Sequence, residues 1–303
     1  MKKLKYLFLS FILIVFIFNI NIVIESTKYS SILFFNKIFI TIVPFIILSD
    51  ILIYFDYHIF LKNTIGKFLS KLFNIDPSTS IIFILSILTC SPNNAIFTKD
   101  MLNNDEIDIN TANKIMCFTY FQSIPFVIGT IGVELFKSFK IGLFLYFIML
   151  INNIMIGLFL RREKSNYVLK NNVKNKSSFF EVLKNSIMKS INTSLIILGN
   201  LIVFTIIVNL ITKYISIKPY ILSILTGLLE LTSGIISVSK LNIPFNIKFA
   251  LTSLILNFSS LSILFQSFSI LSDYKINIKK TLTIKLIFSI ISFLLILICT
   301  RWI

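Results

Sequence analysis

Two acids stand deep inside apolar sequence: Asp50 in PFIILSDIL and Glu230 in GLLELTSG. A carboxylate in such surroundings must titrate, bind a cation or accept from backbone amides, because a bare charge held away from water is costly. Proton or cation coupling is the chemistry of the first two options, and both residues are candidates for it. The plainer reading of Asp50 is an interfacial residue facing headgroups. That of Glu230 is a hairpin-tip residue capping backbone N–H groups. A second candidate is the turn Ser91-Pro92-Asn93-Asn94. Pro92 suits the first position of a helix with Ser91 as its N-cap, and a free helix N-terminus attracts anions. Thr119, Gln122 and Ser123 on one long helix, and Asn257, Ser259 and Ser260 on another, are placed to face this turn, while Thr232 and Ser233 follow Glu230. Such hydroxyls and amides suit binding of a small polar or anionic solute. Each also has a plainer use in interhelical hydrogen bonding, common for Ser, Thr and Asn in membranes.

Residues for covalent or acid–base catalysis are nearly absent. The chain has one histidine, His58, and no HExxH, GxSxG, Walker A or GxGxxG motif. Cys90, Cys117 and Cys299 are far apart and form no CxxC pair, which supports neither a metal site nor a disulfide framework. The expectation is a protein that is not an enzyme and uses no cofactor.

The elements that position these residues belong to a membrane. Of 303 residues, 56% are hydrophobic and 14% charged, against about 25% charged in ordinary globular domains. The apolar runs predict spans at Leu7–Ile24, Ile32–Phe55, Ile115–Phe136, Ile141–Leu160, Ile191–Ile211, Phe249–Leu271 and Leu286–Thr300. The stretches Ile81–Phe97 and Tyr220–Val238 carry polar and turn-forming residues where a lipid-facing span tolerates none, so they read as the first arms of re-entrant hairpins.

The net charge of +16 does not indicate nucleic acid, because the basic residues cluster between apolar runs, as the positive-inside rule requires. With Lys2, Lys3 and Lys5 inside, seven crossings place most of the 29 Lys and Arg on the cytoplasmic side. These include the loop from Arg161 to Lys189 and the group Lys275, Lys279, Lys280 and Lys285. Tyr57–Ile75 spaces Lys62, Lys67 and Lys71 among Leu and Phe, which suggests an amphipathic helix on that surface.

The chain also repeats itself. ILSILT occurs at Ile84–Thr89 and at Ile221–Thr226, IILSDILIYF (46–55) is echoed by IILGNLIVF (196–204), and FTYFQS (118–123) by FSSLS (258–262). Asp50 thereby answers Asn200. The expected organisation is a signal-anchor helix at 1–30, a first repeat at 31–160 with a hairpin at about 81–114, a basic cytoplasmic linker at 161–189, and a second repeat at 190–303 with a hairpin at about 220–246. Under the charge rule the two repeats are inverted, the plan of many secondary transporters.

The set PFIILSDIL, Ser91-Pro92-Asn93-Asn94-Ala95, FTYFQSIPFVIGTIGVELF, GLLELTSG and LNFSSLSILFQSFSIL resembles the YlbJ-type sporulation integral membrane proteins of the nucleoside-recognition, or Gate, domain group. The likeness covers about residues 30 to 300 and is specific as a set. It implies an all-α bundle similar to concentrative nucleoside transporters, with two re-entrant hairpins, in the outer forespore membrane. It further implies transport of dipicolinic acid during spore formation. The chain departs from the family pattern at the tip, where GYP-x-x-AK becomes CSPNNAI with Ile96 in place of the lysine, and at Asp50, where Glu is expected. The expected partners are the lipid bilayer and a small anionic solute. A non-transporting scaffold or signalling protein, a nucleoside transporter and a homo-oligomer stay open.

Overall fold

The computed structural model describes residues 13–55, 60–163, 178–214 and 218–299, together with Tyr6 and Ser10. His58, the N-terminal lysines and the middle of the linker (164–177) lie outside the described residues. Among the described residues every regular element is helical. Four helices are long and apolar enough to cross a membrane: Phe139–Arg162, Phe179–Tyr214, Phe245–Ile270 and Ile278–Cys299. A pair bent by 101°, Lys62–Phe73 with Pro77–Thr89, makes up to 5. The chain has the build of an all-α, multi-pass membrane protein.

Helix α1 (Ile20–Leu33) runs through a π-helical turn (Phe34–Ile38) into α2 (Phe39–Tyr54). Two spans separated near Glu25–Ser31 were expected, with an anchor helix ending at residue 30; the helix instead continues across that point. The polar stretch has no Gly or Pro to stop it, and its serines turn inward. Ser26 and Ser30 are buried, and Asn209 donates to Ser26 Oγ at 2.8 Å.

A second π-helical turn (Lys62–Gly66) leads into α3 (Lys67–Phe73), which ends at Asn74 in the left-handed conformation. Helix α4 (Pro77–Thr89) starts with Asp76 accepting from Ser78 N–H at 2.7 Å and Pro77 in its first turn, a strong start signal. The chain breaks at Cys90–Pro92, where Cys90 has φ 59, and resumes as α5 (Asn93–Asn103), which packs back on α4. Helix α6 (Ile109–Ile115) is capped by Asp108.

The expected continuous span Ile115–Phe136 is not one helix. Residues 116–123 are non-helical, and a π-helix (Pro125–Leu135) follows. Pro125 lacks the N–H a continuing helix would need, and groups from neighbouring helices take up the freed backbone positions. The π-helix packs closely on α7 (Phe139–Phe159) through facing glycines: a Cβ on Gly132 would lie 2.6 Å from Gly142 Cα.

Helix α8 (Phe179–Tyr214) is the longest element, and it lies along α1, α2 and the second half of a later broken helix. Then α9 (Pro219–Leu229) and α10 (Leu231–Lys240) form a tight hairpin. Ser223 Oγ meets Ser237 Oγ at 2.6 Å and Gly227 meets Gly234, pairs that straddle Glu230 almost evenly, so the arms are antiparallel. Helices α11 (Phe245–Phe258) and α12 (Leu261–Ile270) form one span interrupted at Ser259 and Ser260, which have φ 72 and 57. Helix α13 (Ile278–Cys299) packs along α11 and α7.

Two apolar clusters fill the interior. One joins α3, α4, α7, α10, α11 and α13; the other joins α2, α5, α6, α8 and α12. Leu228, beside the tip of the second hairpin, packs against both.

Candidate functional site

The break between α4 and α5 lies directly on the non-helical segment 116–123. Ser91 N–H donates to the Phe121 carbonyl at 2.8 Å, and Phe121 N–H donates to Ser91 Oγ at 3.1 Å. From α7, Asn153 Nδ2 donates to the Tyr120 carbonyl at 2.8 Å. Asn94 Nδ2 reaches Thr119 Oγ1 at 3.3 Å. These contacts explain how an unwound segment survives in an apolar interior, where an unpaired backbone group is costly.

Side-chain satisfaction is far less complete. Buried polar atoms without a hydrogen-bond partner include Asn93 Oδ1, Asn94 Oδ1, Tyr120 Oη, Gln122 Nε2, Asn152 Nδ2 and Asn153 Oδ1. They sit on the tip, on the unwound segment and on the facing stretch of α7. Native interiors pair nearly all such groups, and six of the eleven among the described residues fall here.

The expected site residues fall as follows. Ser91, Asn93, Asn94, Thr119 and Gln122 are buried and brought together; Ser123 is half-buried and accepts from Phe126 N–H at 3.4 Å. Thr119, Gln122 and Ser123 lie on the unwound segment rather than on a helix. Pro92, not Ser91, holds the N-cap position of α5, and the Ser91 hydroxyl turns to Phe121 instead.

Asn257 donates to Ser253 Oγ at 3.1 Å and to Ser292 Oγ at 3.0 Å, with its carbonyl oxygen unpartnered. Ser259 and Ser260 are fully buried at the second helix break, both in the left-handed region. Two consecutive non-glycine residues held there carry backbone strain of order 1–3 kcal/mol each, which clusters at ligand sites.

Glu230, 5% exposed, accepts from Thr232 N–H at 3.0 Å and from Ser233 N–H at 2.6 Å. It is the N-cap of α10, and the side chains of Thr232 and Ser233 are half-buried beside it. Asp50 is held by neighbouring side chains. It accepts from Ser186 Oγ at 2.9 Å and pairs with Lys189 at 3.1 Å, which also pairs with Asp100 at 2.8 Å. The triad ties α2 and α5 to α8. Its repeat counterpart Asn200 bonds only its own helix, at the Ile196 carbonyl.

Three further residues belong to this region. Asn152 and Asn153 lie mid-helix in α7, where an adjacent pair of amides in an apolar run was the available signal. Lys285 was grouped with the cytoplasmic lysines. It is fully buried on α13, its ammonium 4.9 Å from the centroid of the Tyr120 ring. The position of Lys285 just before an apolar run hid this, because only packing shows that α13 already begins at Ile278. At the start of the same helix, an open cleft of roughly 340 Å³ is lined by Asn110, Asn113, Glu163, Asn277 and Lys280. Among the described residues, no group of acids, cysteines and histidines has the arrangement of a metal site.

No family model matches the chain. No solved structure matches it either. In sequence it is similar to the sporulation integral membrane protein YlbJ of Bacillus subtilis (strain 168), with 23% identity over 293 residues covering 84% of this chain and 72% of that protein.

Proposed function

We propose that the chain is a sporulation membrane protein that acts as a secondary transporter of a small anionic (hetero)aromatic solute such as dipicolinic acid. The observation that carries this reading is the set of unpartnered polar atoms at the meeting of the first helix break with the segment 116–123. The order of the breaks supports an inverted repeat of the kind found in concentrative nucleoside transporters. Each unit has a helix carrying ILSILT, a break (Cys90–Pro92, then Glu230), and later an interrupted span (116–123, then Ser259–Ser260). The similarity to YlbJ supports a role in spore formation and, with it, placement in the outer forespore membrane, with the N-terminus cytoplasmic under the charge rule.

A non-transporting scaffold is the second reading. It is favoured by Phe118, Tyr120 and Phe121, which are wholly buried and fill much of the same crossing. Purified protein in liposomes separates the two. Saturable accumulation of dipicolinate over uridine is the expected result. Absence of uptake of either, in protein shown to be folded, would leave the scaffold.

A further inference from the structure

Lys285 is the least satisfied group in the described interior. Its side chain has 0% exposure, its ammonium has no hydrogen-bond partner, and among the described residues no carboxylate forms an ion pair with it. What it has is the face of the Tyr120 ring at 4.9 Å. A ring face attracts a cation but replaces only a fraction of the water and counter-ion lost on burial. The Tyr120 hydroxyl in turn lies beside Asn94 and Ser267. The Lys285 ammonium thus stands unpaired where the tip, the unwound segment, α12 and α13 meet.

The same helix connects this point to solvent. Asn277 and Lys280, at the start of α13, line the open cleft with Asn110, Asn113 and Glu163. The next residue, Thr281, touches Cys117 Sγ at 3.7 Å, and Lys285 follows one turn further in. From Lys280 to Lys285 the helix rises about 7–8 Å, roughly the length of a small aromatic acid.

We propose that Lys285, stacked on Tyr120, is the anion-holding residue of this chain: its ammonium takes one carboxylate of a small organic acid that arrives from the cleft. The inference rests on the transport reading for the choice of probe, not for the existence of the site. It gives the buried amine the partner it lacks, and it places the second end of a dicarboxylate toward Lys280, which pairs with Glu163 at the cleft.

The test uses the full chain in lipid nanodiscs, with dipicolinate and benzoate as carboxylate probes and pyridine-2,6-dimethanol as the uncharged analogue. At least one carboxylate should bind the wild type and raise its melting temperature, and the diol should neither bind nor compete. Lys285→Met should weaken that binding tenfold or more, and Lys285→Arg should retain part of it. Without ligand, Lys285→Met should melt at or above the wild-type temperature, since an unpaired buried charge is gone. Wild-type affinity in Lys285→Met, or no carboxylate binding to the wild type, would overturn the proposal. So would failure of both Lys285→Met and Lys285→Gln to fold, which would make the lysine structural. Lys285-dependent binding without uptake in liposomes would keep this site and discard transport. Uptake with unchanged affinity in Lys285→Met would do the reverse.

Discussion

Ser91 and Phe121 hold each other twice: the Ser91 amide donates to the Phe121 carbonyl at 2.8 Å, and the Phe121 amide donates to the Ser91 hydroxyl at 3.1 Å. The pairing joins the first helix break to the unwound segment of the next span, so neither can shift alone. Replacing Ser91 by Ala removes the acceptor of a buried amide, which costs about 1–3 kcal/mol. A lowered melting temperature in detergent-purified Ser91→Ala is expected. An unchanged one would show that the segment does not depend on this contact.

The second hairpin depends on glycine contact. A Cβ on Gly234 would overlap the backbone of Gly227, whereas nothing lies within 4 Å of one on Gly199. Gly234→Ala should therefore destabilise by about 1–3 kcal/mol through overpacking, and Gly199→Ala should be neutral or slightly stabilising through helix propensity. Comparable melting temperatures for the two variants would contradict the hairpin geometry.

Glu230 uses both carboxylate oxygens as caps, one on Thr232 N–H and one on Ser233 N–H. Gln keeps one acceptor, so Glu230→Gln should cost about 1 kcal/mol and still leave a folded protein. If the residue also carries the coupling proton, this variant binds solute but loses pH-dependent accumulation in liposomes. Wild-type pH dependence would leave Glu230 as a cap alone.

Lys189 neutralises two carboxylates, Asp50 at 3.1 Å and Asp100 at 2.8 Å. Lys189→Met leaves Asp50 without its counter-ion and Asp100 with only the field of Lys99, and it should destabilise by about 2 kcal/mol, discounted from the fully buried case because the triad is partly exposed. Asp50→Asn leaves the Lys189–Asp100 pair intact and should cost less. Urea or thermal unfolding of the two variants checks the order, and equal losses would argue against a shared lysine.

Sidedness can be read by labelling. Cys90 and Cys117 are buried and Cys299 is exposed, so Cys299→Ser gives a quiet background. Glu181→Cys, on the exposed start of α8, should react with an impermeant maleimide only from the cytoplasmic face. Labelling from outside would reverse the assigned topology.

Much of the membrane character was legible in sequence because it depends on local composition. Long apolar runs, the hairpin stretch around Glu230 and the turn after Thr89 follow from residue type and order alone. Capping was legible in part: Glu230 before Thr232 and Ser233 is a local signal that the fold uses, whereas the expected cap Ser91 turns to Phe121. What tertiary structure decided is where backbone may leave the helix and which charges go inside. Residues 116–123 read as ordinary span, yet they unwind because Ser91 and Asn153 supply partners from other elements. Asp50 reads as a coupling or an interfacial acid and Lys285 as a loop lysine, and only packing shows that Lys189 pairs the first and that the second is enclosed against Tyr120. A side chain's charge is written in the sequence. Whether it meets water, a counter-ion or an aromatic face depends on neighbours more than a hundred residues away, and only packing brings those into contact.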